Sequence, residues 1–201
     1  RAFTSGWGSL PRDRPSTKSA FRTCGCAWGS SEKMETRHDV TGTRNIVSTL
    51  DEYRTAVAEI AKRANRSLAI YTPDLEPQLY DQDVFLEPLK RLVLARGHAR
   101  LRVLISDPAR VMREGNRFMQ MARRLTSFIE LRNVPPEFRN NPAAFIIADG
   151  SAIAYRQQCS RWDGIVEFND QQVVRRHLAY FDEVWAVSLI QPELRATAVD
   201  F

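Results

Sequence analysis

Histidine and cysteine are scarce in this chain of 201 residues, with three of each. His38, His98 and His177 are therefore the whole supply of imidazole for a nucleophile or general base. Cys24, Cys26 and Cys159 do not make a disulfide framework, because the first two are too close together to staple anything. Cys24-Gly-Cys26 would supply half of a metal site, but no second Cys or His pair follows at ligand spacing, so neither metal nor cofactor is expected. Three reduced thiols fit a cytoplasmic setting. No run of about 18 apolar residues occurs, so no membrane-spanning helix is expected. No apolar stretch follows a basic start, so a secretory leader is not expected either. The phosphate-binding Gly-rich loops and the Ser/His/Asp spacings of nucleophilic hydrolases are also missing.

The composition is that of a globular domain, with 43% hydrophobic and 26% charged residues. The net charge of +5 is unevenly placed. Residues 1–33 hold six basic and two acidic side chains, while the remaining 168 hold 23 and 22. The body is thus close to neutral, and its global charge does not argue for a polyanion partner. Residues 1–33 are rich in Ser, Gly and Arg, show no helical or strand period, and carry Trp7 and Trp28 isolated among polar neighbours. Such a segment buries too little apolar area to offset its ordering entropy. With Met34 the first methionine, it reads as a linker or as sequence upstream of a start, or else as a basic arm. The expected organisation is a tail over 1–45, one domain over 46–190 and a short tail over 191–201.

Within the domain, Thr49-Leu-Asp-Glu52 is a capping box, and Leu50, Tyr53, Val57, Ile60, Ala61 and Ala64 then share one helical face. Residues 67–72 form a strand ended by Pro73. Residues 83–96 read as a helix with Phe85, Leu89, Leu92 and Val93 inward. Pro88 suggests that regular turns begin near Glu87, and Gly97 is expected to close the helix in the left-handed region. A strand over 100–106 precedes one long helix, from the Asp107 cap and Pro108 to Leu125, with Val111, Gly115, Phe118 and Ala122 on its inner side. Strands follow over 128–132 and 144–148. The second is almost wholly apolar, hence central, and pairs with 152–155 around Asp149-Gly150. Asp170 caps a last helix carrying Val174, Leu178, Phe181 and Trp185. The alternation specifies an α/β domain, a mixed β-sheet sandwiched by helices.

The stretches "LAIYTPDL", "FLEPLKRLVLARGHARLRVLIS", "FIELRNV", "AFIIADG" and "FDEVW", in that order, resemble one half of the phospholipase D superfamily across residues 50–188. The chain is also similar to an uncharacterised bacterial domain of this type that is sometimes attached behind an acetyltransferase. The resemblance implies a catalytic His-x-Lys-x4-Asp, in which the His forms a phosphohistidine and the Lys neutralises phosphoryl oxygens. Placing the acid on Asp149 sets the His at Pro142 and the Lys at Ala144, and neither carries a nucleophile or a charge. The family's Gly-Ser-x-Asn falls on Arg156-Gln-Gln-Cys159. The implied protein is a non-catalytic binding or regulatory module, accessory to an acetyltransferase. Because enzymes of the superfamily pair two halves, a homodimer is implied as well.

Candidate residues fall into three sets. His98, His177 and Asp149 are weak catalytic candidates for an alternative phosphodiester hydrolase or nuclease with a relocated nucleophile. Tyr71, Asp74 and Asp149 are expected to converge at one sheet edge as a small-molecule pocket, since loops at strand C-termini collect ligands. Arg110, Arg113, Arg117 and Arg124 form a basic stripe on the long helix that suits phosphate or nucleic-acid binding, or simply its solvated face.

Overall fold

The computed structural model describes residues 44–95 and 97–190. The Ser/Gly/Arg-rich tail, with Cys24, Cys26 and His38, and the C-terminal tail over 191–201 lie outside them.

Strand β1 (Asn45–Val47) leads through Thr49 into helix α1 (Leu50–Arg63). The capping box forms as read: Thr49 Oγ1 accepts from Glu52 N–H at 3.3 Å, and Glu52 Oε2 accepts from Thr49 N–H at 3.2 Å. Next come β2 (Ser67–Thr72), a short helix α2 (Pro77–Tyr80) with Pro at its first position, α3 (Asp83–Ala95) and β3 (Arg100–Ile105). Then follow α4 (Ala109–Glu114), α5 (Arg117–Arg124), β4 (Ile129–Asn133), β5 (Ala144–Ala148), β6 (Ala152–Arg156), β7 (Gly164–Glu167) and α6 (Gln171–Val187). Asp170 caps α6, accepting from Gln172 and Val173 N–H at 2.9 and 3.2 Å.

Among the described residues the strands form one sheet in the order β1-β7-β6-β5-β2-β3-β4. β2, β3 and β4 run parallel, while the other neighbours are antiparallel. The all-buried β5 is the central strand, as its unbroken apolar run requires. Strand residues alternate between two cores. Leu68, Ile70, Val103 and Ile146 face α1 to α5, whereas Ala69, Tyr71, Leu104 and Phe145 face α6. The second layer is thin. Seven strands at about 4.8 Å apart are far wider than one helix of about 10 Å, and α6 covers only part of that face. Ile46 on β1 stays 76% exposed, with Ile165 and Tyr155 beside it in register.

Three local expectations fail. The long helix is broken: Gly115 has φ +64, and Asn116 starts α5 as a new N-cap, its side-chain oxygen accepting from Met119 N–H at 2.7 Å. Helix α3 starts at Asp83, as read, but its regular turns do not wait for Glu87. Pro88 sits in its second turn, and the carbonyl that loses a donor belongs to Val84, a residue 52% exposed and reachable by water. Gly97 is not in the left-handed region; among the described glycines only Gly115 and Gly150 are.

Strands β1 and β7 are too short to show a period. Gly164 nonetheless marks β7, because a Cβ there would lie 2.9 Å from the Tyr53 ring.

Candidate functional site

Strand register decides which candidate side chains can meet. Leu68 pairs with Ala148 and Tyr71 with Phe145, so Asp149 lies beside the start of β2 and Asp74 lies beyond its end. The expected convergence of Tyr71, Asp74 and Asp149 does not occur, because β5 runs antiparallel to β2 and delivers its Asp-Gly turn to the opposite end. Asp149 takes the left-handed conformation (φ 51), and its carboxylate is occupied by backbone. Oδ2 accepts from Asn65 N–H at 2.6 Å, and Oδ1 accepts from Arg66 and Ser67 N–H at 2.8 Å each. The acid thus ties the hairpin to the chain between α1 and β2.

Tyr71 points into the α6 layer, stacked on Phe145 with ring centroids 5.2 Å apart and edge-on to Tyr180. Burial pushes its phenol up. Asp74 serves the other layer, where its Oδ2 accepts from Arg110 Nη1 at 2.7 Å.

The histidines are far from a nucleophile's setting. His98 is exposed on the turn before β3, near the end of the sheet opposite Asp74. On α6, His177 Nδ1 is 2.9 Å from Val173 O, and its ring packs against Tyr155 and Phe145 at centroid distances of 4.6 and 5.3 Å. Burial lowers its imidazole below the ordinary histidine range. Pairing with an acid is absent from both rings among the described residues.

The basic stripe is divided by the break at Gly115. Arg110 and Arg113 lie on α4, where Arg110 is paired with Asp74 and with Glu114 at 3.2 Å. Arg117 and Arg124 lie on α5, and Arg117 is paired with Asp83 and reaches Asp81 at 4.0 Å. The four side chains do not form one continuous row.

The end of the sheet that holds Pro142 and Ala144 is built around a residue that the sequence did not single out. Arg156 lies opposite Ala144 in register and is 0% exposed, facing α1. Its Nη2 donates to the buried Glu76, and its Nη1 donates to Cys159 O at 2.9 Å and Arg161 O at 3.2 Å. The guanidinium lies 4.8 Å from the Tyr53 ring centroid and 4.7 Å from that of Trp162. Burial raises the Glu76 carboxyl, with the Arg156 charge opposing. Burial also raises the Tyr53 phenol. Leu75, just before Glu76, is buried in the left-handed region at φ 52, and its carbonyl accepts from Asn116 Nδ2 at 3.3 Å.

Cys159 donates its N–H to Pro142 O at 2.7 Å. Burial raises its thiol, with Glu76 adding to the effect, so the thiolate needed for attack is disfavoured. A signal for Arg156 existed: its period-2 register with Ala152 and Ala154 sends it inward, where an arginine must find an acid. Among the described residues no group of three metal-ligating side chains comes together, and no helix is long and apolar enough to cross a membrane.

A mixed sheet with helices on both faces and the β5–β6 hairpin at its centre is an α/β fold of phospholipase D-like type. Solved structures with this architecture include Nuc, a phospholipase D family member from Salmonella typhimurium (TM-score 0.51, 13% identity, 75% of this chain and 99% of that one). NucT from Helicobacter pylori gives a TM-score of 0.51 at 10% identity, over 75% and 100% of the two chains. TrmBL2, an archaeal chromatin protein, gives 0.55 at 13% identity; the match covers 78% of this chain and 57% of the length of TrmBL2. Likeness at these identities establishes fold alone. The chain belongs to the family described as a domain of unknown function, DUF7931, whose pattern matches residues 49–197. No curated protein matches it.

Proposed function

We propose that the chain is a non-catalytic binding or regulatory module that keeps a phospholipase D-like scaffold without its chemistry. The observation that carries this reading is the occupancy of the sheet end at β5. Pro142 and Ala144 stand where the resemblance implies His and Lys, and the adjoining space is filled by the Arg156–Glu76 pair with Tyr53 and Trp162 packed around it. A phosphoryl acceptor needs an activated nucleophile and charge waiting for the transition state. His177 is committed to Val173 and two aromatic rings, and the Cys159 thiol is held protonated.

As a module, the chain would serve an attached or co-expressed acetyltransferase in the cytoplasm, the context implied by the sequence resemblance. Self-association as a homodimer is supported by the incompletely covered sheet face, where Ile46, Pro142, Tyr155 and Ile165 line a groove of about 560 Å³. The DNA binding stated for TrmBL2 adds a nucleic-acid partner to those worth testing.

The test is turnover of a chromogenic phosphodiester and of single- and double-stranded nucleic acid by the full chain, with His98→Ala and His177→Ala in parallel. The expected outcome is hydrolysis at the buffer rate for all three proteins. Turnover abolished by either substitution would sink the proposal and reinstate a hydrolase with a relocated nucleophile.

A further inference from the structure

We infer that the groove between α3 and α5 binds the sugar–phosphate backbone of a nucleic acid. The inference rests on reading the chain as a binding module and gives that module a partner. It differs from the four-arginine stripe in its residues, since Lys90 enters and Arg110 and Arg113 leave.

The sequence of α5 builds one wall. Phe118, Met119, Met121 and Ala122 are buried, which leaves Arg117, Gln120 and Arg124 on the outer side at spacings of three and four. Helix α3 supplies Lys90 from the opposite wall, and Leu86, Met121 and Leu125 complete an open groove of about 310 Å³. The lining therefore holds three cations and one amide, with no carboxylate among the lining residues. Acids do sit nearby: Glu87 meets Lys90 at 2.6 Å, and Arg117 meets Asp83 and lies 4.0 Å from Asp81. Arg124 makes no ion pair with the described residues.

Geometry favours a repeating anion over a single phosphate. Arg117 and Arg124 are seven residues apart on a helix, or about 10.5 Å along its axis at about 1.5 Å per residue. Phosphates on one strand of a duplex rise about 3.4 Å per step along its axis and lie farther apart than that in space, so this span exceeds a single phosphate group and suits neighbouring phosphates of one strand. Guanidinium forks hold phosphate oxygens at each end of that span, Lys90 adds a compact charge across the groove, and Gln120 offers an amide between them. No aromatic side chain lines the groove, so bases have nothing to stack on and the contact is independent of sequence. Because the body is nearly neutral, the attraction is local, and affinity is expected in the range of about 10⁻⁴ to 10⁻⁶ M at physiological salt.

The experiment is fluorescence anisotropy of the full chain with a labelled 20-base-pair DNA duplex and the corresponding single-stranded RNA, titrated between 50 and 200 mM salt. The groove variant is Lys90→Glu/Arg124→Glu. The control, Arg175→Glu/Arg176→Glu on the exposed side of α6, makes the same change in net charge. Thermal melting confirms that both variants fold. The groove variant is expected to bind at least tenfold more weakly at 50 mM salt, with a log–log salt slope smaller by about two, while the control stays within about threefold of the parent.

No binding by the parent, or equal losses in both variants, would overturn the assignment; equal losses would place the attraction in diffuse charge. Groove-dependent binding to phosphatidylglycerol vesicles but not to nucleic acid would also overturn it, in favour of a membrane surface. Each of these outcomes leaves the absence of turnover untouched, so failure here and failure of the non-catalytic reading can be told apart.

Discussion

Asp149 shows how much one residue's surroundings change its meaning. From the sequence it is both the natural residue of an Asp-Gly turn and the surviving acid of a catalytic motif. In the fold its two oxygens accept three backbone N–H bonds within 2.8 Å, and its backbone takes a left-handed conformation that Asp tolerates better than most side chains. Asp149→Ala removes a charged acceptor from three donors and places a Cβ-bearing residue at φ 51 without a compensating bond. The expected loss is about 2 kcal/mol, read as a lower urea midpoint at unchanged slope. Asp149→Asn, which keeps one acceptor and the tolerance for positive φ, should lose less. Unaltered stability in both would mean that the carboxylate is available to a ligand after all. The structural role of Asp149 could not be seen in the sequence, because the three amides belong to residues more than 80 positions away.

At the scale of elements, legibility followed the density of local signals. Helix α1 and helix α6 were readable because their caps and apolar faces lie within a few residues of one another. Strand β5 was readable because five consecutive buried residues have no solvent side. The α4–α5 break was not, because Val111, Phe118 and Ala122 keep a helical spacing across it and Gly115 falls on the same face. Only the third dimension, where Asn116 reaches Leu75 O, explains why the chain turns there. Gly115→Ala separates the two pictures by sign. In a continuous helix the change would stabilise by about 1 kcal/mol. At the observed φ of +64 and ψ of 162 it should destabilise by about 2 kcal/mol, because that region is essentially closed to side chains. Thermal melting decides between them. The break also explains why the basic stripe became two groups, and why the groove at Lys90 has no counterpart in a reading of one helix alone.

Across the whole molecule, fold class was legible and the site was not, since the site depends on the direction in which β5 meets β2. That same junction has a kinetic meaning. β2, β3 and β4 are joined by helical crossovers, β5 and β6 by a tight turn, and β6 and β7 by the loop over 157–163, so each group can form from contacts close in sequence. The ladder that joins the groups pairs Leu68 with Ala148 and Tyr71 with Phe145, and it forms only after a long loop has closed. The two groups should therefore meet late, at the centre of the sheet, and the edge ladder that pairs Asn45 with Val166 spans still more of the chain. Ile146→Val, in that ladder and fully buried, is expected to cost about 1 kcal/mol. Nearly all of that cost should appear as faster unfolding, with the refolding limb of the chevron hardly moved. A slowed refolding limb would mean instead that the most buried strand is also the nucleus. The strand that looks most like the foundation of this domain is, on the physics of its connections, a seam where two separately formed groups meet late.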